Sequence, residues 1–153
     1  MVKVQRLLTA VFYGTLVLLA SILGCSKAPL NGDEARAVLQ TFYDDNVPES
    51  ITDRHLVRAG KPIVPFLIHE IQRKDMPKRR YAIAAIGKIG DQRALPVLIK
   101  IFEDRSEQEY FRGDALEAIW RLERNRAEDL ANKHRGESVY VDEISDALKK
   151  GRF

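Results

Sequence analysis

Residues 81–90 (YAIAAIGKIG) lie over residues 114–123 (DALEAIWRLE) at an offset of 33, and small and large apolar side chains match in order. Ala82 meets Ala115, Ile83 meets Leu116, Ala85 meets Ala118, Ile86 meets Ile119 and Ile89 meets Leu122. A second pairing sets residues 59–68 (AGKPIVPFLI) over 89–99 (IGDQRALPVLI), joining Gly60 to Gly90 and Pro65 to Pro96 around one inserted residue. A unit of 31 to 33 residues, with two helical patterns about a glycine turn, cannot bury its apolar stripe alone. Stacked copies can. The fold class that follows is all-α: a short α-solenoid of helical hairpins.

The turn chemistry agrees. Gly90 is placed to take the left-handed conformation that ends one helix, and Asp91 to cap the next. Pro62 falls in the first turn of its helix, where its missing N–H is harmless. Pro65 and Pro96 lie slightly deeper and are tolerated only within that first turn. Asp75 is expected to cap a helix beginning near Met76 and Pro77. Upstream, Ala35, Val38, Leu39 and Phe42 recur at helical spacing and predict a helix over 33–43, with Asn31 or Asp33 at its cap and 44–48 (DDNVP) at its end. Downstream, Glu123 stands where the turn glycine should be, so the third copy reads as a degenerate cap. A closing helix over 142–150 would pack Ile144 and Leu148 on the open end.

The front of the chain has a different character. Lys3 and Arg6 precede an uncharged run, Leu7 to Leu23, and Gly24 precedes Cys25, the single cysteine. A basic start, an apolar core and a small residue form the layout of an export signal. The run also approaches the ~20 residues that span a bilayer, which keeps an uncleaved single-pass anchor as the alternative. Ile22-Leu23-Gly24-Cys25 resembles the bacterial lipoprotein lipobox, which implies cleavage before Cys25 and acylation of its sulfur. That would remove an unpaired thiol from an oxidising compartment. Ser26 is not the aspartate that marks inner-membrane retention, so the resemblance implies an outer-membrane anchor facing the periplasm, the alternative being an inner-membrane span. The boundaries expected are a signal over 1–24, a tether over 25–32, a helical cap over 33–50, repeats over 51–75, 76–104 and 108–134, and a closing segment over 135–153. The whole chain carries a formal charge of +3; without residues 1–24, 23 basic side chains face 22 acidic ones, a net +1. Basicity is therefore mainly a property of the front segment, and nucleic acid is not an expected partner.

Residues 79–104 (RRYAIAAIGKIGDQRALPVLIKIFED) resemble a HEAT repeat of the type found in phycobilisome lyases. The likeness rests on Ala84-Ala85-Ile86-Gly87-Lys88-Ile89-Gly90-Asp91, on Arg93-Ala94 and on Pro96. It implies that the second helix of each pair lines a concave face. Equivalent positions then form two rows, Phe66, Val97 and Leu130, and His69, Lys100 and Lys133. An apolar ridge beside a basic row suits an acidic segment of a protein partner; the plainer alternative makes the first row core and the second a solvated face. A further candidate is the basic turn RKDMPKRR, with Arg73, Lys74, Lys78, Arg79 and Arg80. Its cations sit near a helix N-terminus, where the macrodipole disfavours them.

Catalytic and metal patterns are not visible. His55, His69 and His134 are scattered polar residues without metal-ligand spacing, and neither a phosphate loop nor a nucleophile elbow occurs. The expectation is a non-catalytic scaffold without metal or cofactor, lipid-anchored at Cys25 and holding an unidentified protein. A lyase-type enzyme and a small-ligand or glycan-binding envelope module are the alternatives.

Overall fold

The computed structural model describes residues 28–152; the apolar run Leu7 to Leu23 and Cys25 lie outside them. Helix α1 (Gly32–Asp44) opens on a capping box: Asn31 accepts from the backbone N–H groups of Asp33 and Glu34, and Glu34 accepts from the N–H of Asn31 at 2.9 Å. Three hairpins follow, α2 (Arg54–Ala59) with α3 (Val64–Glu70), α4 (Arg79–Ile89) with α5 (Leu95–Glu103), and α6 (Glu109–Leu122) with α7 (Arg124–Lys133); α8 (Val139–Lys149) ends the array. The first helices pack in succession, α2 on α4, α4 on α6 and α6 on α8. Between them and the second helices runs one continuous apolar core, which includes Phe42, Leu56, Leu67, Ile86, Leu98, Phe102 and Ile119. The all-α, solenoid-like architecture expected from the repeat is the one observed.

Each proline has a tolerated place. Pro62 opens the 3-10 turn Lys61–Ile63, and after that turn and its counterpart Gln92–Ala94 an α-helix starts afresh, so Pro65 and Pro96 fall at its first positions. Gly90 is left-handed (φ 73°, ψ 35°), and the Asp91 carboxylate accepts from the N–H of Arg93 at 3.0 Å. The turns are also tied in series: Arg93 Nη2 donates to the Lys61 carbonyl at 3.0 Å and Gln92 Nε2 to that of Leu122 at 2.7 Å.

Three expectations are corrected. Helix α4 begins at Arg79, not near Met76: Lys78, the one non-glycine residue with positive φ among those described, forms the turn, and Asp75 pairs with Arg73 instead of capping. Helix α8 begins at Val139 because the Ser138 hydroxyl caps it, accepting from the N–H of Val141. His134 is no loose surface histidine. It is buried, edge-on to Phe102, with Nδ1 at 3.0 Å from Glu137 Oε2 and Nε2 3.8 Å from Glu103 Oε1, beyond hydrogen-bond distance.

Candidate functional site: a groove beside the second helices

The turns between hairpins are held by buried arginines. Arg79 donates from Nε to the Ile71 carbonyl at 2.6 Å and grips Glu107 with both terminal nitrogens, at 2.8 and 3.0 Å. One repeat later, Arg112 donates from Nε to the Phe102 carbonyl at 2.8 Å and lies 3.5 Å from Glu137. Both guanidiniums rest on aromatic faces, Arg79 on Phe111 and Arg112 on Phe102. The cations near the start of α4 are thus aimed backward, at the carbonyl-rich end of the preceding helix, where the dipole favours them. Lys78 follows the same logic and donates to the carbonyls of Phe42 and Asp45 at the end of α1.

All five residues of the basic turn have partners within the fold. Besides Lys78 and Arg79, Arg73 pairs with Glu70 and Asp75, Lys74 with Asp104 and Ser106, and Arg80 grips Asp114 at 2.7 and 3.0 Å. Cations placed oddly for their own helix are explained by their contacts with others.

Of the apolar row, Val97 (7% exposed) and Leu130 (3%) belong to the core, so the three positions form no exposed ridge. Phe66 is half-buried and borders a different hollow, with Pro29, Leu30, Lys61, Pro62, Pro65 and Arg93. The basic row is exposed: His69, Lys100 and Lys133 stand in the last turns of α3, α5 and α7. Position alone gives the two lysines a structural benefit, since a cation in a last turn is worth about 0.3–1 kcal/mol. Lys133 is further held by Glu103 at 3.1 Å, and His69 Nδ1 lies 3.2 Å from Glu70. Lys100 has neither an ion pair nor a side-chain hydrogen bond among the described residues.

Lys100 borders a groove of about 230 Å³ together with Gln72, Lys74, Arg79, Val97, Ile101, Asp104 and Glu107. Two surfaces that are separate in sequence, the basic turn and the second-helix face, meet there. Val97 and Ile101 make an apolar wall, while Asp104 and Glu107 neutralise Lys74 and Arg79. Lys100 is left as the cation without a counterion. The volume lies below the ~300–1,000 Å³ of ordinary ligand pockets and suits one side chain of a larger partner.

The Ser106 hydroxyl, the Ser106 backbone N–H and then Lys74 hold the Asp104 carboxyl down at about 2, below the ordinary 3.8. A carboxylate whose folded pKa is depressed adds stability above its unfolded pKa and loses it as pH falls through the folded value. The Lys74–Asp104 tie across the groove is therefore expected to persist at pH 4 and to open as pH approaches about 2. Side-chain carboxyl shifts of Asp104 followed by NMR check this; a midpoint at the ordinary value contradicts it.

Among the described residues, no group of three or more His, Cys, Asp or Glu could hold a metal ion, and no helix is long and apolar enough to cross a membrane. A family model described as the PBS lyase HEAT-like repeat matches residues 78–104. The chain carries a HEAT-like repeat. The matched stretch takes in α4, the Gly90 turn and α5, so the HEAT-like unit supplies Lys100 and two groove walls. No curated protein and no solved structure matches the chain. The sequence reading did not single out Glu107, Glu137 or the buried role of Arg112. One signal was present: Arg79 and Arg112 are themselves 33 residues apart, in register with the matched apolar positions.

Proposed function

We propose that this chain is a membrane-anchored, non-catalytic helical-repeat scaffold whose groove between the α3–α4 connection and α5 engages an acidic segment of a protein partner in the bacterial envelope. Its anchor is lipidated Cys25, and its compartment is the periplasmic side of the outer membrane. One observation carries the partner's chemistry: among the described residues Lys100 has no counterion, while the neighbouring cations of the groove are neutralised from within. A partner carboxylate would complete that charge. Charge complementarity of this kind raises association rate and selectivity more than raw affinity, in keeping with a shallow site.

The double variant Lys100→Glu and Lys133→Glu is expected to lose crosslinking to its envelope partner, while its unfolding free energy falls by only about 1–2 kcal/mol, the cost of replacing two last-turn cations by anions. Capture of an unchanged set of envelope proteins by the variant refutes the groove assignment. The anchor is tested separately. Cys25→Ser is expected to abolish metabolic labelling with fatty acid, and undiminished labelling contradicts lipidation at that position.

A further inference from the structure

We infer that the hollow formed by Pro29, Leu30, Lys61, Pro65, Phe66 and Arg93 is a membrane-docking face that rests on phospholipid headgroups. The inference relies on the anchored reading above, although it holds for a lipid anchor or a membrane span alike. Its first argument is reach. Leu30 is the fifth residue after Cys25, and a fully extended chain covers at most about 3.6 Å per residue, so Leu30 stands within about 18 Å of the point where the chain leaves the bilayer. The described chain starts on this hollow, since Pro29 and Leu30 form one of its walls.

Its second argument is composition. Pro62, Pro65 and half-buried Phe66 and Leu30 give an apolar floor, and two cations stand at its rim. Arg93 is balanced by Asp91, to which it donates at 2.6 Å, and it also ties the rim to the Lys61 carbonyl. The Lys61 ammonium has no ion pair or side-chain hydrogen bond among the described residues. Apolar groups that enter the headgroup boundary beside a cation that meets a phosphate are the general chemistry of interfacial attachment. The consequence is orientation. With the α2–α3 and α4–α5 turns against the lipid, the groove beside Lys100, which shares no lining residue with this hollow, remains open to a partner.

The full-length chain in vesicles of phosphatidylcholine and phosphatidylglycerol provides the test, with amine acylation of individual lysines read by mass spectrometry. A second form carries a long flexible insertion in the tether between Cys25 and Ala28, which frees the domain from enforced proximity without touching the fold. On transfer from detergent micelles to vesicles, Lys61 is expected to become several-fold less reactive relative to Lys100 with either tether. Protection with the natural tether alone means crowding, not docking, and overturns the inference; so does Lys61 that stays as reactive as Lys100 in both forms. Failure of the natural chain to float with the vesicles overturns the anchoring itself. The double variant at Lys100 and Lys133 does not bear on any of these outcomes, so the groove and the docking face can fail independently.

Discussion

Arg79→Met is expected to destabilise the fold by about 3–5 kcal/mol, the usual loss when one partner of a buried ion pair is removed. The magnitude follows from what is left behind. Arg79 and Glu107 are both almost fully buried, at 2% and 5% side-chain exposure, and the guanidinium satisfies both carboxylate oxygens as well as the Ile71 carbonyl. Methionine fills much of the same volume, so the loss reports an orphaned carbonyl and a buried Glu107 carboxylate left with only Lys74, at 3.7 Å, more than a cavity. Arg79→Lys should recover little, because one ammonium cannot reach three acceptors arranged for a planar fork. The paired change Arg79→Met with Glu107→Leu should return much of the stability, since replacing both partners of a buried pair by apolar groups is often neutral. Urea unfolding of the parent and the three variants measures these differences. Equal stability of Arg79→Met and the parent would show that the clamp contributes nothing. The equivalent change at Arg112 should cost less, because its contact to Glu137 is longer, at 3.5 Å, and Glu137 also has Arg105 and His134.

Such clamps mark where the sequence stops being legible. The repeat, the left-handed Gly90, the Asp91 cap and the Asn31 cap were readable because each rests on a local rule: apolar period, absent Cβ, short polar side chain. The beginning of α4 was not, since Met76 is spent on the core and Lys78 bends the chain where Asp75 should have capped it. Side-chain pairing across repeats is harder still. Arg79 and Arg112 keep the 33-residue register, but Glu107 and Glu137 are 30 apart, in connecting segments of unequal make-up, so the acceptor cannot be inferred from the donor. For the candidate site, the repeat register placed His69, Lys100 and Lys133 together in the last turns of their helices. Val97 and Leu130 turn inward, as the plainer alternative has it, because a helix seated on a core over a wide arc hides apolar residues at neighbouring periodic positions.

Gly87→Ala is expected to destabilise the array by about 1–3 kcal/mol, the range for forcing extra volume into a packed interior. Alanine normally favours a helix over glycine by about 1 kcal/mol, so the loss must overcome a gain. Geometry says that it does. A Cβ at Gly87 would lie 2.9 Å from Ala118 Cα and 3.1 Å from its Cβ, contacts with the backbone of α6 that no rotamer change relieves. Helices α4 and α6 would have to separate, loosening the small-residue seam of Ala85 and Ala118 that the repeat preserves. Gly113→Ala is the informative comparison. There the added Cβ would meet Tyr140 Cε1 at 2.5 Å, which is nominally the worse clash. The obstacle is the far end of a side chain that is only half-buried, and it can swing aside. Helix propensity should then nearly offset the strain, leaving Gly113→Ala within about 1 kcal/mol of the parent. Denaturant midpoints for the two variants decide the matter, and a loss at Gly113 equal to that at Gly87 would refute the distinction. The same geometry explains why the third copy can place Trp120 at the position equivalent to Gly87. The last helix, α8, approaches α6 at Gly113 through Tyr140 and Ile144, and Trp120 lies half-buried under the Arg124 guanidinium, 4.8 Å from the ring centroid. A helix stacked on α6 as α6 stacks on α4 would meet that indole, and α8 instead packs on α6 beside Gly113.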